Sequence, residues 1–192
     1  MLLFLVLSMS LRLTVLLAQI ILQVKSKRIL ELGSGCGLVG IAAGICGAKE
    51  VILTDLAHAL PLISENIDRH RVQLDTAGCE QMTCTPCDWF RPLPEELLRF
   101  QPQVLLVADC IWMQDLVAPL LATIQQLIEV AAPPAADDDD VPVIISYQRR
   151  GKSTHDEFWA GIHSLFRHVQ EIDLSSIGLK PSQVLFLLEC RR

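Results

Sequence analysis

The chain is short of positive charge. Lys and Arg number 16 against 22 Asp and Glu, giving a net charge of −6 and a pI near 5.3. That balance argues against a nucleic-acid backbone as the main partner, since such a partner calls for a basic face. A disulfide framework is missing too. The seven cysteines are an odd number without framework spacing, which points to free thiols in a reducing compartment. Cys79, Cys84 and Cys87 do match the spacing of a plant-type iron–sulfur run. Residues 82–87 read as a strand, however, and alternate strand side chains face opposite ways. No metal site is expected there, nor at residues 137–140, where four adjacent aspartates cannot all converge on one ion.

Basic residues are also absent ahead of the apolar run that opens the chain. Residues 1–24 carry one charge, Arg12, and are long enough to span a bilayer. Without a basic start or a clear small-residue cleavage site they make a poor secretory signal. Leu13, Leu16, Leu17, Ile20, Ile21 and Val24 recur at helical spacing, with Arg12, Gln19 and Gln23 on another face. This suits a helix packed on a sheet; a membrane anchor, a signal peptide or the stub of a longer N-terminal region are the alternatives. Residues 25–192 are read as the main domain, of a size that one hydrophobic core can serve.

What is present centres on residues 28–40, Arg-Ile-Leu-Glu-Leu-Gly-Ser-Gly-Cys-Gly-Leu-Val-Gly. A short apolar strand runs into three alternate glycines, Gly33, Gly35 and Gly37, and then into a helical pattern. Strand, glycine turn and helix let backbone approach a bound nucleotide closely, with the helix N–H groups aimed at it. Two cofactors fit this stretch. Gly35-x-Gly37-x-x-Gly40 satisfies the dinucleotide fingerprint. Glu31-x-Gly33-x-Gly35-x-Gly37 instead resembles the first motif of class I S-adenosylmethionine (SAM) methyltransferases. The acid two residues before the first glycine suits a ligand with an ammonium and a sulfonium and would repel a pyrophosphate, so SAM is favoured.

Further strands follow at residues 50–54, 81–85, 103–108 and 143–146. Helices are expected at 38–46, 60–70, 116–130 and 156–168. The near-continuous apolar run before Asp109 reads as a central parallel strand. Two last runs, 169–174 and 184–189, would pair antiparallel at a sheet edge. Asp55 lies 18 residues past Gly37, close to the spacing at which a carboxylate reaches a ribose. Asp88 and Trp89 could supply an adenine with an acceptor and a stacking face. Glu31, Asp55, Asp88 and Asp109 all fall at or just beyond strand carboxyl ends, where open α/β sheets bind ligands. No Asn-Pro-Pro-aromatic motif of the amide and adenine methylases is present.

Together, the stretch from Glu31 to Gly40, Leu53-Thr-Asp55, Asn66, Asp88-Trp89, Ala108-Asp-Cys-Ile-Trp112 and Ser146-Tyr-Gln-Arg149 resemble the seven-β-strand protein-lysine methyltransferases, the methyltransferase 16 group. The resemblance covers residues 28–192. It implies an α/β, doubly wound, mostly parallel seven-stranded Rossmann-like sheet with an antiparallel C-terminal edge hairpin. It also implies SAM as cofactor, with Gly33, Gly35 and Gly37 along its methionine part, Asp55 on its ribose, and Trp89 and Ala108 around its adenine. Asp109 and the aromatic Trp112 would lie near the target amine, and Trp112 and Tyr147 could hold the methylated cation by cation–π contact. Arg149 and Arg150 either pair with acids on the partner or close the sheet end. The implied partner is a lysine-bearing folded protein such as a chaperone or translation factor, met by a monomer in the cytoplasm or nucleus. Trp112 departs from the more usual Tyr, and residues 1–24 lack the Trp with which family members help close over SAM. Transfer to another protein side chain or a small amine, and an inactive or membrane-tethered interaction protein of the same fold, are the rival readings.

Overall fold

The computed structural model describes residues 23–131, 141–173, 175 and 185–192. The expected N-terminal helix lies almost wholly outside these residues, as do the aspartate run at 137–140 and most of the turn before the last strand. Among the described residues no helix is long and apolar enough to cross a membrane.

The elements in order are β1 (Arg28–Leu32), α1 (Leu38–Ile45), β2 (Glu50–Asp55), α2 (Leu60–Arg69), α3 (Arg71–Ala77), β3 (Gln81–Pro86), α4 (Glu95–Phe100), β4 (Val104–Ala108), α5 (Val117–Ala131), β5 (Val143–Gln148), α6 (Lys152–Leu165), β6 (His168–Glu171) and β7 (Leu185–Arg191). A single turn of 3-10 helix, Gln114–Leu116, leads into α5. The strands form one sheet in the order β3-β2-β1-β4-β5-β7-β6. Neighbours from β3 to β5 are parallel, and β7 runs antiparallel between β5 and β6. The order reverses direction beside β1, at the switch point where open α/β sheets place their ligands.

The central strands are apolar on both faces because both are covered, and the period of two assigns each residue a side. Ile29, Val104, Leu106 and Ile144 pack with α1, α2 and α3 through Ile41, Ile63 and Leu74. Leu30, Leu32, Leu105, Val107, Val143 and Ile145 pack with α4, α5 and α6 through Leu97, Leu120 and Phe158. Cys84 packs against the first layer and Cys87 belongs to the second, as the odd spacing between them along an extended chain requires; Cys79 precedes β3 and is buried in the first layer. Small residues let α1 lie close to the sheet: a Cβ on Gly40 would stand 2.0 Å from a Leu53 methyl.

Parallel register then sets the rim. Leu32 pairs with Thr54 and with Val107, Asp55 with Pro86, and Ala108 with Ser146. One step further along each strand, Asp55, Gly33 and Ala108 stand side by side at the carboxyl edge.

Candidate active site

Beyond that edge is a cavity of about 540 Å³ lined by Gly33, Gly35, Asp55, Leu56, Cys87, Asp88, Trp89, Phe90, Asp109, Cys110, Trp112, Met113 and Leu116. Its volume falls in the range of roughly 300–1,000 Å³ typical of small-molecule and cofactor sites. Seven of the residues singled out in the sequence meet there: Gly33, Gly35, Asp55, Asp88, Trp89, Asp109 and Trp112.

The glycine turn forms the floor. Gly33 has φ +65°, and a Cβ there would lie 2.5 Å from the Cys110 sulfur and 3.2 Å from the Trp89 ring. Only glycine lets the turn run this close beneath Trp89 and Cys110. Gly35 also has positive φ, +58°, but nothing stands within 4 Å of its absent Cβ. It therefore presents bare backbone to open space, a cradle of the kind that a bulky polar ligand fills.

Asp55 closes the β2 side. One carboxylate oxygen accepts the Gly35 N–H at 2.7 Å and the other the Leu56 N–H at 2.7 Å. A carboxylate oxygen has a second acceptor site, so hydroxyl donors can be received without breaking this anchor. At the end of β3, Asp88 accepts the Phe90 N–H at 3.0 Å and pairs with Arg91 at 3.3 Å, which fixes the bend carrying Trp89.

Asp109 is one residue past β4 and adopts φ +57°, a left-handed conformation that a non-glycine residue holds only at some cost. Its N–H donates to the Ser146 carbonyl at 2.7 Å, and Arg150 donates to its carboxylate at 2.7 Å. Phe90 and Trp112 are 65% and 50% exposed, and Leu56 and Met113 are exposed as well. All four line the cavity, so its mouth is apolar while its base carries the acids.

Four expected residues are placed elsewhere, each for a reason in the strand pleat or the turn. Glu31 is not at the cavity wall. It shares the Ile29 side of β1, is 1% exposed, and accepts the Gly40 N–H at 3.0 Å. Burial, more than any neighbour, raises its carboxyl from 4.5 to about 8. It therefore braces the start of α1 and is not among the side chains that line the cavity. Gly37, with φ +82°, caps α1 against Ile63 and Leu53. Ala108 packs on the α1 layer. Tyr147 is fully buried: its hydroxyl lies 2.9 Å from His155 Nδ1, and its ring stacks on Phe186 at 5.1 Å. It faces α6, so of the two aromatics expected to hold the cation only Trp112 lines the cavity.

Leu56, Cys87, Cys110, Met113 and Leu116 were not expected at the cavity. Cys110 was visible only as part of the Ala108–Trp112 stretch. Its thiol donates to the Leu32 carbonyl at 3.3 Å, tying the end of β4 to the glycine turn.

The strand order, the glycine turn after β1 and the acid-lined cavity beyond the strand ends define a Rossmann-like methyltransferase fold. A TehB-like SAM-dependent methyltransferase from Corynebacterium glutamicum superposes with a TM-score of 0.62 at 14% identity, covering 92% of this chain and 88% of that one. Residues 6–164 match the lysine methyltransferase family, and the chain belongs to it. It is similar to protein-lysine N-methyltransferase EFM6 of Saccharomyces cerevisiae, at 28% identity over 66% of this chain and 52% of that protein. It is also similar to EEF1A lysine methyltransferase 3 of Xenopus tropicalis, at 32% identity over 55% of this chain and 44% of that protein. The chain thus spans about half the length of these relatives.

Proposed function

We propose that this chain carries the catalytic fold of a SAM-dependent protein methyltransferase acting on a lysine side-chain amine. One observation carries the reading: Asp55, Trp89 and the bare Gly33–Gly35 backbone meet Asp109 and Trp112 around a single cavity. Asp55 would receive the ribose hydroxyls, Trp89 the adenine face, and Gly33 and Gly35 the amino-acid end. Asp88, held by Arg91, would accept from the adenine amine.

When bound, SAM supplies an electrophilic methyl on a positively charged sulfur. The chain's own task is to bring a neutral amine to it, and orientation is the main lever. Asp109 would accept a hydrogen bond from the amine and aim its lone pair, its strained backbone fixing the direction. Trp112 would hold the product cation against its ring face. Burial under the apolar mouth formed by Phe90, Trp112 and Met113 favours the uncharged amine over the ammonium. The seven cysteines are free thiols, which fits a reducing cytosolic or nuclear setting.

The name of the Xenopus relative supports a translation factor as acceptor. Incubation with tritiated SAM and unmodified elongation factor 1A, alongside a fractionated lysate, tests this directly. Label in a lysine of a protein is expected. Label confined to other side chains or to small amines would contradict the lysine assignment. Asp109→Ala should lower transfer by about 100-fold or more while cofactor affinity holds. Loss of both together would make Asp109 a cofactor or structural residue.

A further inference from the structure

The chain already carries a cation on the carboxylate that the amine would use. Arg150 Nη2 lies 2.7 Å from Asp109 Oδ2. It reaches there because β4 and β5 are parallel neighbours with Ala108 opposite Ser146, which brings the segment after β5 over the end of β4. Nearby, Gln114 donates to Glu157 of α6 at 2.9 Å, and Arg150 meets the cavity through Asp109, which lines it. Arg91 and Lys152 are engaged with other acids, Asp88 and Asp156. Arg150 is partly exposed, with 40% of its side chain accessible, so it can swing outward.

We infer that Arg150 is a gate on the amine site, displaced by the acceptor lysine and then paired with an acidic side chain adjacent to that lysine. This rests on the lysine-transfer reading of Asp109 and adds a specificity determinant to it. A lysine approaching as an ammonium meets a guanidinium on its carboxylate, and like charges disfavour joint occupancy. The exchange costs least when the acceptor also brings a carboxylate, because the planar guanidinium fork then regains a partner of matching geometry. A lysine with an acidic neighbour satisfies both ends of the exchange; one with a neutral neighbour leaves Arg150 to compete for Asp109.

The test is binding of two short blocked peptides, Gly-Lys-Glu-Gly and Gly-Lys-Gln-Gly, followed by NMR with and without S-adenosylhomocysteine. Wild type should prefer the Glu peptide by about fivefold, the scale that a partly exposed ion pair allows. Arg150→Ala should bind the Gln peptide about fivefold more tightly than wild type does and lose the preference. Arg150→Lys, which keeps a cation without the fork, should retain the barrier to the Gln peptide with a reduced Glu preference. If Arg150→Ala is poorly folded by circular dichroism, Arg150→Gln carries the same expectation. Equal binding of the two peptides by wild type, or an unchanged preference in the neutral variant, would overturn the gate. Failure of S-adenosylhomocysteine to bind any form would instead overturn the cofactor reading, and the peptide pattern would still decide the gate.

Discussion

Asp109 and Tyr147 occupy the same row of the sheet, and their fates differ. The register that sets Ala108 opposite Ser146 makes them neighbours one step further on. Asp109 has left β4, turned through a left-handed conformation, and lines the cavity. Tyr147 is still inside β5, paired with Phe186 of β7, and the pleat sends its ring into the layer under α6. Being at the carboxyl edge is therefore insufficient to reach a ligand. A residue past the strand end that turns through a left-handed conformation can aim at the cavity, whereas a residue within the strand faces where alternation dictates.

The sharpest way to break this contrast is truncation of the buried member. Tyr147→Ala should destabilise the fold by about 3–5 kcal/mol, the usual result of removing a large aromatic from a core, as read by urea unfolding. The glycine turn offers the next largest effect. Gly33→Ala combines a positive φ with a collision on Cys110, for an expected loss of about 2–4 kcal/mol. Gly35→Ala keeps only the backbone strain, about 1–2 kcal/mol, yet projects a methyl into the cavity and should weaken cofactor binding. Equal stability losses in the two would contradict the packing assigned to Gly33.

Glu31 sharpens the comparison through pH. Its folded carboxyl titrates at about 8 against 4.5 ordinarily, so the native state keeps a proton that the unfolded chain has released. The resulting stability is complete below about pH 4.5 and is lost as pH rises through about 8. About 2 kcal/mol should disappear between about pH 6 and about pH 8. Glu31→Gln should flatten that decline in thermal melts; an equally steep decline in the variant would place the proton elsewhere. Smallest of all, Tyr147→Phe removes only the hydroxyl facing His155 and should cost about 1 kcal/mol, with methyl transfer unaffected. A well-folded Tyr147→Phe protein without transfer would return Tyr147 to the active site.

Much of this fold was legible because the central strands are buried on both faces. Residues 104–107 and 143–145 are all fully buried, and such strands read as apolar runs whatever the tertiary context. The antiparallel edge pair was also visible, though β6 spans His168–Glu171 instead of the expected 169–174, since an edge strand has only a weak apolar pattern. Helix α3 went unseen for a physical reason: Leu74 is its one buried residue, which leaves no stripe to detect. Helix α6 was expected too late. It starts at Lys152 after an extended Gly151 that provides no side-chain cap, so the usual start signal is missing.

The site divides along the same line. Asp55, Asp88, Trp89 and Asp109 were readable as strand-end residues. Leu56, Cys110 and Met113 reach the cavity through turns whose paths no periodicity encodes. Glu31, read as a strand-end acid as well, does not line the cavity, because alternation along β1 turns it toward α1.

Isothermal titration of the wild-type chain with SAM, S-adenosylhomocysteine and NADH probes the cavity's occupant most directly, with Asp55→Ala as the companion protein. SAM and its demethylated product should bind with heat that Asp55→Ala diminishes, and NADH should give none. Binding of NADH without SAM would contradict the account, because the turn and the acids around it would then cradle a pyrophosphate instead of a sulfonium.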